Sequence, residues 1–413
     1  MSHNVRAGFV LTLGVMLVWS SSAAARPAVL VNPHVNGNGT PTTIQEGIDM
    51  VDPGGKVMVL PGTYDEALVI DKGLTLEAVG GESGEVIVAP SGGPTAAITV
   101  TAETAVTIRG ITVRFGGENG IDGAGAIDVT VEQAVVTAVN PPLGASRLIR
   151  VLNNLDPQGR RARLVVRESF LDGTITDQPP PFAQTFGITF QGDVDAVLER
   201  NVIRRTGGAC IVAATRADFG GETNADIVDN DLDDCHPFAR VASIIVGPPA
   251  PLPPGPVIVT STGTVNIVGN TIRNSSDSCF PNNAIHYEFF TGRIERNRIL
   301  GVVQGCATPT GRTHPGAIWV GAIRPFSGPP AAPIVRFNDI VGNARAGLRV
   351  APNITQPIDA TCNWWGSASG PSGAGPGTGD AIVVEGSAAT PHFAPWATAP
   401  IAETDDVTCA GGG

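Results

Sequence analysis

The segment VNIVGNTI (265–272) decides the fold, because four others repeat its plan: AVLERNVI (196–203), ADIVDNDL (225–232), GRIERNRI (292–299) and PIVRFNDI (333–340). Each holds an asparagine at the same phase: Asn201, Asn230, Asn270, Asn297 and Asn338. Three residues earlier stand Leu198, Ile227, Ile267, Ile294 and Val335, and two residues later stand Ile203, Leu232, Ile272, Ile299 and Ile340. Repetition of this kind marks a solenoid. Short strands with period-two alternation would turn both apolar columns inward. The asparagine is expected at the bend between two strands, where it tolerates left-handed backbone and bonds neighbouring peptide groups. Stacked about 4.8 Å apart, such side chains can hydrogen-bond along the stack as a ladder.

The asparagines are 29, 40, 27 and 41 residues apart. A helical repeat would hold a tighter period and avoid so many β-branched residues, glycines and prolines. A coil of short strands tolerates uneven spacing, because extra residues leave as loops. Earlier segments keep the apolar columns without asparagine: LVVRESFL (164–171) places Ser169 at the bend and VTIRGITV (106–113) places Gly110 there. KVMVL (56–60), LTLEA (74–78) and EVIVA (85–89) continue the short strands, so the pattern runs from Val29 to Val384 as one domain. Thr43-Ile44-Gln45-Glu46 fits a capping box, with Ile44, Ile48 and Val51 on one helical face. A helix here would cover the open edge of the first rung.

Two stretches carry a family resemblance. TIQEGIDMVDPGGKVMVLPGTYDEALVIDKGLTLEAVG (43–80) resembles the opening of pectin-lyase-like β-helix proteins. CNWWGSASGPSGAGPGTGDAIV (362–383), followed by FAPW (393–396), resembles a closing rung of exported bacterial members of that group. The resemblance implies an all-β fold: a single-stranded right-handed parallel β-helix with a short N-terminal capping helix. It is specific for fold and weak for activity, since lyases, hydrolases, epimerases and adhesins share it. Trp364 and Trp365 are read as packing at the closing end, with a sugar platform as the alternative.

The first residues read as an export signal, with Arg6, the apolar run 9–19 and Ala23-Ala24-Ala25 before Arg26. The expected organisation is a signal peptide over 1–25, a β-helix domain over 26–400 and a C-terminal tail over 401–413. Residence is expected to be secreted or periplasmic, with no membrane attachment after cleavage and a monomeric chain. The formal charge is −12, and Lys56 and Lys72 are the only lysines, which argues against nucleic acid and anionic membranes as partners. Six cysteines in an exported chain point to disulfides. Rung spacing pairs Cys279 with Cys306 and Cys210 with Cys235, leaving Cys362 for Cys409.

Candidate chemistry falls in three places. Asp233 and Asp234, with His236, form the densest polar cluster, although adjacent residues of a strand face opposite ways unless a turn intervenes. The paired aspartates resemble those of polygalacturonases, but the Gly-His-Gly and Arg-Ile-Lys motifs of those enzymes are missing. His286 and Glu288 share one face around Tyr287, with His314 and Trp319 about a rung later, so Tyr287, His314 and Trp319 are read as binding residues. Arg324 is a candidate uronate-binding cation, but Ser327 stands where the pectate-lyase pattern needs a second arginine. GGENGIDGAGAID (116–128) resembles one copy of a calcium-binding repeat through Asp122 and Asp128; such sites need stacked copies, so no metal is expected. Segments 139–162, 174–187, 236–263 and 306–333 read as Pro-rich loops that would wall a groove if they left one corner. Two function classes remain open. One is binding of carbohydrate or another extended ligand in that groove. The other is a polysaccharide lyase or glycoside hydrolase acting through Asp233, Asp234, His236, His286, Glu288 and Arg324.

Overall fold

The computed structural model describes residues 26–35, 39–80, 84–139, 145–153, 156, 158–174, 184–214, 221–235, 242–247, 263–273, 283–301, 316–322, 331–343, 345–401 and 409. The proposed signal peptide lies outside them. Their strands build three parallel sheets of eleven, ten and twelve described strands, and from Lys56–Val59 to Leu348–Val350 the chain visits the sheets in the same order on every turn. One turn runs from Val194–Glu199 in the first sheet to Val202–Thr206 in the second and Ile211–Ala214 in the third. It then returns to the first sheet at Thr223–Val228. The coil is a right-handed parallel β-helix, the hand that parallel crossovers take. Among the described residues no helix is long and apolar enough to cross a membrane.

The core is a set of stacked columns. Leu198, Ile227, Ile267, Ile294 and Val335 pair in sequence along the first sheet, and Ile203, Leu232, Ile272, Ile299 and Ile340 along the second. All ten are fully buried. The third sheet has its own column: Ile98, Ile121, Ile149, Ile188, Ile211, Ile244, Ile285, Ile318, Leu348 and Ile382. The helix Ile44–Met50 plugs the first rung. Thr43 and Glu46 complete the capping box, and Glu66 accepts from the Ile44 and Gln45 N–H groups at 2.7 and 3.0 Å.

Between the first and second sheets the five asparagines stand in one column. Asn270 shows the pattern. Its Oδ1 accepts from the Asn230 backbone N–H and side-chain amide, both at 2.9 Å, and its Nδ2 donates to Ile227 O at 2.8 Å and Asn297 Oδ1 at 3.0 Å. Asn363 extends the column beyond Asn338 at 2.9 Å, and Ser169 and Ala134 carry it the other way. One expectation needs correcting. The left-handed residue is the one before the asparagine: Arg200, Asp229, Gly269, Arg296, Phe337 and Cys362 all have φ between 52° and 70°. The asparagine follows that bend and turns inward. Gly110 is likewise left-handed, at φ 66°, and the column position in its rung belongs to the buried Ile111.

Cys210 and Cys235 form a buried disulfide between neighbouring rungs, with Cα atoms 5.5 Å apart, and Cys362 is bonded to Cys409. Cys279 and Cys306 lie outside the described residues.

Candidate functional site

The connections show which face of the coil is elaborated. From Arg109 onward two residues separate each first-sheet strand from the second-sheet strand that follows, because the ladder needs a constant bend. The long connections, 173–183, 247–264, 301–315 and 321–333 among them, all join the third sheet to a neighbour. They leave from two corners, not one, and both corners border the third sheet. Three of the expected loops also contain strands of that sheet: Ala145–Asn153, Ala242–Val246 and Gly316–Val320. A fourth, 174–187, overlaps the start of Gln184–Gly192.

The outward column of the third sheet runs through Thr189, Val212, Ile245, His286, Trp319 and Arg349 on consecutive rungs. Each occupies the middle of an apolar-x-apolar triplet whose flanking residues fill the core. The His286 and Trp319 rings stack with centroids 4.2 Å apart and planes 25° off parallel. Glu288, just past the end of the strand Asn283–Tyr287, holds its Oε1 2.5 Å from His286 Nε2. Glycines flank it on the adjoining rungs, Gly247 and Gly321. A Cβ on Gly247 would lie 2.9 Å from the Glu288 Cβ, so the glycine makes room for the carboxylate. Arg349 binds Glu385 at 2.8 Å. Glu288 and Trp319 are 6 % and 1 % exposed, so this outward row is enclosed.

The second sheet carries a different surface. Asp172, Arg204, Asp233 and Arg273 stack outward as alternating charges. Arg273 lies 2.6 Å from Asp231 and 3.6 Å from Asp233. Asp234 has φ 55°, and this left-handed bend is the turn that the paired-aspartate reading required. Asp233 and Asp234 nevertheless belong to a different sheet from His286 and Glu288, so the structure does not gather them into one site. Tyr287 is corrected from binding to core: it points inward, 1 % exposed, with its hydroxyl 2.7 Å from the Val265 and Thr291 carbonyl oxygens. Trp365 is fully buried at the closing end, as packing requires. His236, His314 and Arg324 lie outside the described residues. Asp122 and Asp128 face arginines, Arg150 at 2.7 Å and Arg163 at 3.3 Å. No group of three metal-ligating side chains occurs among the described residues.

Asp172 gives the charged ladder a measurable role. Burial alone would raise its pKa, but hydrogen bonds from Arg205 and the Thr174 N–H, with the charges of Arg205 and Arg204, hold it below 3.8. A lowered carboxylate contributes stability present above the unfolded pKa and lost as pH falls through the folded value. Asp172→Ala should therefore cost about 1–2 kcal/mol at neutral pH, because Arg204 and Arg205 are 43 % exposed and stay hydrated while the Thr174 N–H loses its acceptor. Thermal melts at neutral pH and below 3.8 should show that difference shrinking in acid; a constant difference would contradict the ion-pair account.

Thr189, Gln191, Arg349 and Glu385 were not singled out from the sequence. A signal was present in the recurrent triplets IRV (149–151), ITF (188–190), IIV (244–246), IHY (285–287), IWV (318–320) and LRV (348–350). Lacking the asparagine marker, they read as loop or isolated strand.

No protein-family profile and no curated protein matches the chain. Solved structures do. A pectin methylesterase from Erwinia chrysanthemi is 14 % identical over 70 % of this chain and 93 % of its own, with a TM-score of 0.39. The ORF18 protein of Geobacillus virus E2 is 11 % identical over 82 % of this chain and 59 % of its own, with a TM-score of 0.42. A PL6 polysaccharide lyase from Pseudopedobacter saltans is 10 % identical over 84 % and 90 %, with a TM-score of 0.28. These likenesses concern the coil alone. In fold the chain is a right-handed parallel β-helix, the architecture that the resemblance to pectin-lyase-like proteins implies.

Proposed function

We propose that this is an exported β-helix protein that binds an extended carbohydrate along the outer face of its third sheet. The observation that carries the reading is the row Ile245, His286, Trp319 and Arg349 on consecutive rungs. An imidazole–carboxylate pair, the indole stacked on it and an arginine follow one another there at sheet spacing, and the third sheet has long connections on both of its sides. Aromatic faces and fixed polar groups are what sugar rings pack against. Two disulfides fit an oxidising compartment.

The spacing of carboxylates favours binding over hydrolysis. A glycosidase sets two carboxyl groups about 5–9.5 Å apart. In the column of Glu288 the next two rungs carry Gly321 and Ala351, and Glu385 is three rungs away, about 14 Å at about 4.8 Å per rung. Removing a polar ring that the row leaves accessible tests the proposal. His286→Ala, whose side chain keeps 15 % of its surface, should lower affinity for the bound polysaccharide about tenfold, whereas Trp319, 1 % exposed, packs beneath the face and its truncation should lower the melt instead. Affinity electrophoresis across a polysaccharide panel measures it, beside an assay for reducing ends and unsaturated products. Unchanged affinity in the His286 variant would overturn the binding face, and turnover of any panel member would overturn the non-catalytic reading.

A further inference from the structure

The His286 ring is held on two sides and open on a third. Its Nε2 lies 2.5 Å from Glu288 Oε1, one face stacks on Trp319, and the side chain keeps 15 % of its surface. Nδ1 has no hydrogen-bond partner among the described residues and is not one of their enclosed polar atoms. The carboxylate beside it is placed by the backbone. The Glu288 N–H donates to the Val246 carbonyl oxygen at 2.7 Å, and left-handed Phe289, at φ 65°, follows. Glu288 is 6 % exposed, so its carboxylate depends on the imidazole rather than on water for a partner.

This arrangement decides what the open nitrogen can do. An ionised carboxylate only accepts hydrogen bonds, so the proton of the short contact sits on Nε2. A neutral imidazole has one donor and one acceptor, and its donor is spent on Glu288. Nδ1 is left as an acceptor at the accessible edge. A hydroxyl hydrogen matches it, whereas a carboxylate, which brings acceptors only, opposes it. The arginines of the same row already hold carboxylates: Arg150 binds Asp122 through two bonds of 2.7 Å, and Arg349 binds Glu385 at 2.8 Å. The chain as a whole carries −12, which is unfavourable to a polyanion.

Building on the proposed binding face, we infer that Glu288 is a positioning residue that fixes His286 with Nδ1 as a hydrogen-bond acceptor, and that the site takes a hydroxyl group of an uncharged glycan. The test records nitrogen NMR spectra of the isotope-labelled intact protein at about pH 8, above the usual imidazole range. Spectra are taken alone and with mixed-linkage β-glucan, galactomannan or polygalacturonate, and the His286 signals are those missing from His286→Ala. The expected result is a ring proton on Nε2, and an upfield shift of Nδ1 when a neutral polysaccharide binds. Affinity electrophoresis should show Glu288→Ala weakened about five- to tenfold, the scale of one neutral hydrogen bond. Glu288→Gln should stay close to wild type, because its amide oxygen still accepts from Nε2.

A ring protonated on Nδ1, alone or together with Nε2, would overturn the inference. So would an Nδ1 signal that a bound polysaccharide leaves unmoved. Glu288→Gln as weak as Glu288→Ala would make the charge decisive and refute the acceptor role; the wild-type spectrum and this variant decide even where Glu288→Ala melts lower. Unchanged affinity in Glu288→Ala, with His286→Ala impaired, would remove the positioning role and leave the binding face standing. Tighter binding of polygalacturonate than of either neutral polymer would overturn the ligand class. Absence of binding to all three would overturn the binding face and the inference together.

Discussion

Aspartate in place of Ile267 should abolish folding. Ile267 is fully buried and stacks between Ile227 on one rung and Ile294 on the next. The side chains around it are apolar, so a carboxylate there would lose its hydration and gain no partner. Even protonated, the acid would leave polar atoms without hydrogen bonds, at several kcal/mol. A domain's whole stability is about 5–15 kcal/mol, and in a solenoid a broken rung also uncouples its neighbours. The expected outcome is loss of soluble yield, whereas Ile267→Val should cost only about 0.5–1.5 kcal/mol. Normal yield and an unchanged melt for the aspartate variant would refute the inward column.

Asn270→Ala, in the middle of the ladder, should be strongly destabilising. Its Oδ1 accepts two hydrogen bonds from Asn230, and its amide donates to the Ile227 carbonyl and to Asn297. Alanine orphans the Asn230 backbone N–H and one of its amide protons inside the coil. At about 1–3 kcal/mol for each orphaned group the loss is about 3–5 kcal/mol. Ser169→Ala, toward the end of the column, should cost less, because Ser169 accepts a single bond from the Ala134 N–H at 3.1 Å. Urea unfolding of the two variants checks the order. Equal losses would show that the asparagines act as independent turns and not as a connected column.

The parts of this fold legible in the sequence were those with a marker whose chemistry recurs. Asn201 to Asn338 mark a bend of fixed length, and the apolar columns on either side of it follow. Asn363 could have been added from IDATCNWW, where Ala360 and Trp365 hold the flanking apolar positions and are fully buried. The third sheet was less legible because it has no such marker and its strands sit between long connections. GAIWV (316–320) is apolar at every position, so alternation cannot show which side chain faces out. Tyr287 illustrates the limit. Beside His286 and Glu288 it looked like a third site residue, but strand parity sends it inward, where burial pushes its phenol pKa up. Asp233 and Asp234 stand in the densest polar cluster of the sequence, but outward positions on the second sheet hold charges of both signs for ion pairing. The triplet ITF (188–190) places Thr189 in the outward row, but only the structure shows that its hydroxyl is buried without a partner.

The most direct test is a crystal structure of the protein with a bound oligosaccharide from the polymer it retains. The ligand should lie along the third sheet, against His286 and Arg349. Density over the charged row of Asp233 and Arg273, or over the outer face of the first sheet, would contradict the assignment.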